Sequence, residues 1–547
     1  MTVTEDAPAA APASSDPTPA AEPRYGLADV LGSGDHKVIG RLWIGTALLQ
    51  LLLVLAAAVY VSAVRIDTAG LADPPEWFLQ IATFRMLGGM FLVLLPLTIG
   101  LATLVVPLQV GASTLAFARG AAASYWAYLI GSVLVISAYA IDGGPFGDDV
   151  DGVRLFILAF GLVVLAEVVA LICIMTTVVT LRAPGLRLAR VPLFSWSMLV
   201  AGGVWMLTLP VLLSMVVLTY LDVRYGGANG LFGGGGQSVY RRLSWSSYQP
   251  SLFAFAIPVL GFVATVIPVF ASTRHFQHRY ARNAIGTFGA LAIGAWTIPG
   301  FGADATPWLY EIPWVVVSFL ILVPLLGLLG LWGQTVRTGR VRFESPLALG
   351  IVALVVLLTG VAAGAVQAIK PIKTIVAGDG TSLFGTAWTS GVADLVLVAA
   401  GIALVGGLIL WAPKILGKKL AEAPARAIGA LLLLGAFTMS LPDLVSGLFG
   451  QGAGDLPGPV ADHEDFINVL NGISLLGLGL LSLAALGVIG LILQALRSRE
   501  LPGDDPWQGH TLEWATSSPP PAGNFVTLPE ITSEAPLYDA RHQEASV

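Results

Sequence analysis

"LPLTIGLATLVVPLQVGASTLAFAR" (residues 95–119) carries no ionisable side chain until its last residue, Arg119. A run of this kind is out of place on a water-facing surface. About 20 such residues cross the hydrocarbon layer as an α-helix, the form that pairs its own backbone N–H and C=O groups. The closing arginine marks the side on which cationic residues collect. The same pattern recurs along the chain. Apolar cores at 40–64, 82–108, 122–141, 154–181, 193–220, 250–271, 283–302, 312–333, 346–369, 389–413, 427–449 and 468–496 read as twelve spanning helices. Of 547 residues, 56% are hydrophobic and 11% charged, where a soluble domain keeps about 25% charged. The fold class is all-α: a polytopic membrane protein built as a twelve-transmembrane-helix bundle.

Composition divides the chain into three parts. Residues 1–30 read as a disordered Ala/Pro-rich tail without the basic and apolar regions of a secretory signal. Residues 31–497 form the membrane domain, and residues 498–547 a polar, Pro-rich cytoplasmic tail. Lys and Arg crowd the termini and even-numbered loops, as at Arg119, Arg182, Arg187, Arg274, Arg337 and Lys418. The odd-numbered loops hold fewer, such as Arg154 and Arg224. Both termini are therefore expected in the cytoplasm of a multi-pass cell-membrane protein, with lipid as the surrounding partner. A net charge of −6 offers no basic field for nucleic acid. The single cysteine, Cys173, excludes an intramolecular disulfide and any cysteine-cluster metal site. The glycine-rich loop at 226–238 lacks a following Lys-Ser/Thr pair and opens no helix, so it is not a phosphate cradle.

Four stretches carry a resemblance. They are "DHKVIGRLWIGTALL" (35–49), the segment 95–119, "FGGGGQSVYRRLSWSSYQPSLFAFAIPVLG" (232–261) and "DPWQGHTLEWATSSPPPAGNF" (505–525). "WAPKILG" (411–417) adds to them. Together they resemble subunit I of the haem-copper oxidases, the cytochrome c oxidase type, over about residues 30–530. The resemblance implies twelve helices of that subunit's type and a place in a respiratory chain. It also implies six histidines that hold two haems and a copper, because neutral imidazole binds iron and copper without adding charge to a low-dielectric interior.

The matching positions do not hold histidine. Counting from Pro96, the ligand of the second helix falls on Arg85. In the sixth, the copper ligand falls on Gln249, the neighbouring acid on Ser251 and the family's tyrosine on Phe253. In the seventh, the pair falls near Pro299 and Gly300, and the family's lysine near Leu328. In the tenth, counting back from Trp411, the two ligands fall on Gly391 and Ala393. The entry aspartate and the asparagine beyond it fall on Thr114 and Ala121, and the arginine pair near Ala453 and Gly454. A shift of register does not restore the set, because no histidine lies between His36 and His275 or between His278 and His463. His275 and His278 stand in the arginine-rich loop "STRHFQHRY". Met86, Met90 and Cys173 remain as other conceivable axial ligands, with packing as their plainer reading. No cofactor is expected to be bound.

Four ionisable residues stand at membrane depth: Arg85, Glu167, Asp394 and Asp443. Such residues are costly in lipid and mark either function or a paired helix end. Arg85 and Asp394 are expected to pair. Phe253, Phe255, Trp296 and Trp388 are expected to help fill the space a cofactor would take.

The function expected is that of a catalytically silent relative of oxidase subunit I, a pseudoenzyme with a structural, assembly or regulatory role. Its partners would be subunit II-like or III-like proteins or a c-type cytochrome, as the resemblance implies. Two alternatives stand: an active terminal oxidase with unorthodox ligands, and a transporter or channel using the emptied core. No internal repeat supports the latter.

Overall fold

The computed structural model describes residues 32–67, 77–225, 252–297, 307–369, 383, 385–452, 463–498 and 503–544. Gln249, Pro299 and Gly300 lie outside the described residues, as do Ser251, Ala453, Gly454, the loop at 226–238 and the tail at 1–30. So does the side chain of Trp296.

Among the described residues, twelve long helical elements succeed one another: α1 (His36–Val64), α2 (Phe78–Val110), α3 (Ala118–Ala140), α4 (Val150–Thr180), α5 (Leu193–Tyr225), α6 (Leu252–Phe270), α7 (His278–Thr297), α8 (Pro307–Leu320 with Leu322–Thr338), α9 (Ser345–Gln367), α10 (Ala387–Leu416), α11 (Glu422–Leu448) and α12 (Glu464–Arg497). A short helix, α13 (Pro536–Glu544), follows. Eleven of these, among the described residues, are long and apolar enough to cross a membrane. The exception is α7, which fills the place of the 283–302 core. It opens on the polar run His278–Asn283, and the described residues stop at Thr297.

Helix ends follow the local sequence. Asp35 caps α1 by accepting from the Lys37 N–H (2.9 Å), and Asp149 caps α4 through the Gly152 N–H (3.2 Å). Pro96 removes the N–H that the Leu92 carbonyl would accept. α2 responds with a wide turn at Gly89–Leu94, in which the Leu95 N–H reaches back to the Met90 carbonyl. The freed Leu92 carbonyl instead accepts from the Tyr128 hydroxyl of α3 (2.9 Å).

Burial sorts the helices. α2, α6 and α10 are the most enclosed spans, whereas α1, α8 and α12 turn most of their surface outward. The three enclosed helices are three of the four that bear the family's ligand positions. Residues 503–544 fold over one end of the bundle, the end at which α1 begins and α10 finishes. Trp507 is buried there and donates its indole N–H to the Leu410 carbonyl (2.8 Å). Gly417 leaves α10 at φ 66°, and a side chain there would come within 3.0 Å of Pro519.

Candidate functional site

The interior between α2, α5, α6 and α10 is where the resemblance places cofactors. It is filled by side chains. Phe255 of α6 meets Trp205 of α5 edge-on with centroids 5.4 Å apart, and Phe194 lies 4.7 Å from Trp411 of α10. Phe253 and Phe255 are both buried. Trp388 is half-buried and donates to the Ala363 carbonyl (3.0 Å). Between Thr98, Phe194, Phe255, Pro258, Phe262 and Ala400 a cavity of about 10 Å³ is left, room for about one water.

The glycines of α10 let its neighbours approach. A Cβ built on Gly391 would stand 3.0 Å from the Ser440 carbonyl oxygen and 2.9 Å from Leu444 of α11. One on Gly406 would stand 2.5 Å from Phe262 of α6. On the α9 side, one on Gly364 would stand 3.3 Å from Phe253. Ala393 is buried. Gly391 thus occupies a close helix–helix contact and Ala393 is buried, and neither side chain carries a donor atom. Small residues serve such contacts between membrane helices.

Among the described residues, the side chains at the positions where the resemblance places ligands do not fit haem or copper. The described positions offer a guanidinium at Arg85, a hydrogen at Gly391 and a methyl at Ala393. At Gly391 even one added carbon meets a helix backbone. Among the described residues no three His, Cys, Asp or Glu side chains converge as a metal set.

The membrane-depth charges stand on four different helices, α2, α4, α10 and α11. Arg85 closes the first segment of α2 and Asp394 lies in the second turn of α10, both half-buried. Glu167 of α4 is fully buried, and neither carboxyl oxygen has a hydrogen-bond partner among the described residues. Asp443 belongs to a network that local sequence did not reveal. The Arg65 Nη2 donates to its Oδ1 (3.1 Å) and to Asn471 Oδ1 (3.4 Å). Asn471 returns a bond from Nδ2 to the Arg65 carbonyl (2.8 Å), and Gln451 donates to Asn471 (3.2 Å). Arg65 and Asp443 are both buried, so the pair seals that end of α1 against α11 and α12.

The other end is a second polar layer, between the bundle and residues 503–544. Glu513 Oε1 accepts from Gln109 Nε2 (3.0 Å) and the Trp411 indole N–H (3.4 Å). Gln109 Oε1 accepts in turn from the Ser195 hydroxyl (2.7 Å). Burial pushes the Glu513 carboxyl above its ordinary value. Lys414 donates to the carbonyls of Asp504 (3.0 Å), Thr516 (2.5 Å) and Ser517 (3.3 Å). Asn524 Oδ1 accepts from Lys37 (3.2 Å) and faces His36 Nε2 (3.0 Å), while Asn524 Nδ2 donates to the Ala112 carbonyl (2.7 Å). Beside this layer His275, His278 and His510 line one cavity of about 40 Å³. Burial lowers His275 to about 4 and His510 to about 3, so both imidazoles are uncharged at neutral pH.

Comparison with known proteins follows the same lines. Residues 38–480 match the family described as Cytochrome C and Quinol oxidase polypeptide I. The chain is 30% identical over 396 residues to a putative cytochrome c oxidase subunit 1-beta of Streptomyces avermitilis, covering 72% of this chain and 68% of the relative. It is 29% identical over 404 residues to a cytochrome c oxidase subunit 1 of Corynebacterium glutamicum, covering 72% and 65%. A heme-copper terminal oxidase dimer solved by cryo-EM superposes with a TM-score of 0.68 over 85% of this chain and 84% of that one, at 14% identity. At that identity the likeness is one of fold.

Proposed function

The chain belongs to the cytochrome c and quinol oxidase polypeptide I family, and from that premise we propose that it is a catalytically silent member. Its role is structural, regulatory or in assembly, within a respiratory complex of the membrane. The observation that carries this reading is the chemistry at the ligand positions. Arg85, Gln249, Pro299, Gly300, Gly391 and Ala393 supply no imidazole, and Gly391 sits against the backbone of α11. Metal choice follows ligand type, and a filled interior resists a large insert.

The layer around Glu513, Lys414 and Asn524 supports a structural role, since the end of the bundle is held together by it. The cationic loops support the assignment of that end to the cytoplasm. Subunit II-like or III-like proteins, or a c-type cytochrome, are the partners proposed.

The second reading is an active oxidase with unorthodox ligands. It is favoured by the names of the relatives, which are cytochrome c oxidase subunits. Oxygen uptake separates the two. The chain is purified in mild detergent with whatever subunits accompany it, and supplied with reduced cytochrome c. The proposal predicts no uptake above the detergent blank, with other oxidase subunits recovered in stable proportion. Uptake attributable to this chain, or recovery of a lone chain without partners, contradicts it.

A further inference from the structure

Half of the chain's six histidines line one cavity at the end covered by residues 503–544. His275 comes from the turn between α6 and α7, and His278 begins α7. His510 and Glu534 come from the C-terminal segment and line the same space of about 40 Å³. That volume exceeds what one water needs, about 10–15 Å³.

The polarity of the cavity is unsatisfied. The Nε2 atoms of His275 and His278 are both buried, and neither has a hydrogen-bond partner among the described residues. His275 Nδ1 lies 2.9 Å from the Phe276 carbonyl oxygen and donates to it. With the ring proton on Nδ1, Nε2 presents a lone pair. A ring N–H donated to a carbonyl is the usual way a protein orients an imidazole that binds metal. The two rings stand 6.3 Å apart between centroids and nearly perpendicular, at 88°. Two imidazoles bound at about 2.0–2.1 Å to one tetrahedral zinc-class ion hold their centroids roughly 5–5.5 Å apart, so binding draws the two rings about 1 Å closer.

We propose that this cavity binds a zinc-class divalent cation through Nε2 of His275 and His278, with His510 and Glu534 of the C-terminal segment facing the ion. Imidazole nitrogen with one carboxylate is a donor set for zinc rather than for magnesium or calcium. As the side chains stand, no three such groups meet at one point. Binding therefore draws His510 or Glu534 toward the pair, and water fills what they leave. The ion thereby ties the C-terminal segment to the α6–α7 turn. This cavity is separate from the one between α2, α5, α6 and α10, and the proposal does not depend on whether the chain reduces oxygen.

The test uses the untagged full chain in detergent, stripped with chelator and titrated with Zn²⁺ alone by calorimetry. About one equivalent is expected to bind, with an affinity at least tenfold weaker in His278→Gln and at least thirtyfold weaker in His275→Gln/His278→Gln. A control, His463→Gln/His542→Gln, is expected to bind as the parent does. Saturating Zn²⁺ is expected to slow proteolytic removal of the C-terminal segment at least threefold in the parent and not in His510→Gln/Glu534→Gln; equal slowing in that variant overturns the tie to the segment. If the double variant fails to fold, the single His278→Gln variant decides. No saturable binding by the parent overturns the proposal. So does unchanged affinity in His278→Gln, which would mean an adventitious ion only.

Discussion

Replacing Gly391 by alanine adds a single carbon at a position where the resemblance places a ligand. That carbon would lie 3.0 Å from the Ser440 carbonyl oxygen and 2.9 Å from Leu444 Cδ2. Leu444 is a side chain and yields by rotating. Ser440 is backbone in the middle of α11, so yielding there means moving a helix. Overpacking of this kind costs about 1–3 kcal/mol, at least about fivefold in the folded-to-unfolded ratio. Gly327 on α8 provides the reference, because nothing lies within 4 Å of a Cβ there. Gly327→Ala is expected to be neutral or to gain up to about 1 kcal/mol from helix propensity. The assay is heat-induced unfolding in detergent, followed by tryptophan fluorescence and by the fraction remaining monodisperse. Gly391→Ala melts below the parent, and Gly391→His melts lower still because its ring needs the volume of Leu444. If Gly391→Ala matches Gly327→Ala, α10 and α11 are not in contact there and the account of a closed interior is wrong.

Other predictions follow from the polar layers. Asp443→Asn leaves Arg65 buried without its carboxylate and should cost about 3–5 kcal/mol; a melting profile like the parent's would show that the pair contributes nothing. Lys414→Met removes three bonds to the carbonyls of residues 504, 516 and 517, where charge-assisted bonds are worth about 1.5–3 kcal/mol. Limited proteolysis should then clip the C-terminal segment faster, and an unchanged rate would refute the anchoring role. Burial raises the Glu513 carboxyl above its ordinary value of 4.5. The folded state therefore holds this proton more tightly than the unfolded one. Its contribution is complete below about pH 4.5 and is lost as pH rises through the raised folded value. Glu513→Gln keeps an acceptor oxygen, so it should flatten that decline; an equally steep decline in the variant would assign it to another group.

The spanning helices were legible because each one is a local fact, a run of apolar residues long enough to cross lipid. Even α7 was located, though its polar start at His278–Asn283 separates it from the rest. The ligand positions were assigned by counting from Pro96, Trp245 and Trp411, and of these anchors Trp245 lies outside the described residues. What local pattern did not reveal is pairing at long range. Arg65 reads as an ordinary loop cation, yet it closes on Asp443 and Asn471 from the far end of the chain. The Pro-rich segment after 503 reads as a solvated tail. Its Trp507, Glu513 and Asn524 are buried because unpaired groups at the ends of α1, α2 and α10 meet them there. Composition counts polar atoms but does not say that the helix ends will satisfy them. The cavity shared by His275, His278 and His510 escaped for the same reason, since the third histidine comes from that segment.

The most direct measurement is the visible absorption spectrum of the purified chain, with iron and copper determined on the same sample. The account predicts a colourless protein, with neither metal in stoichiometric amount. A Soret band accompanied by about one equivalent of haem iron would contradict it.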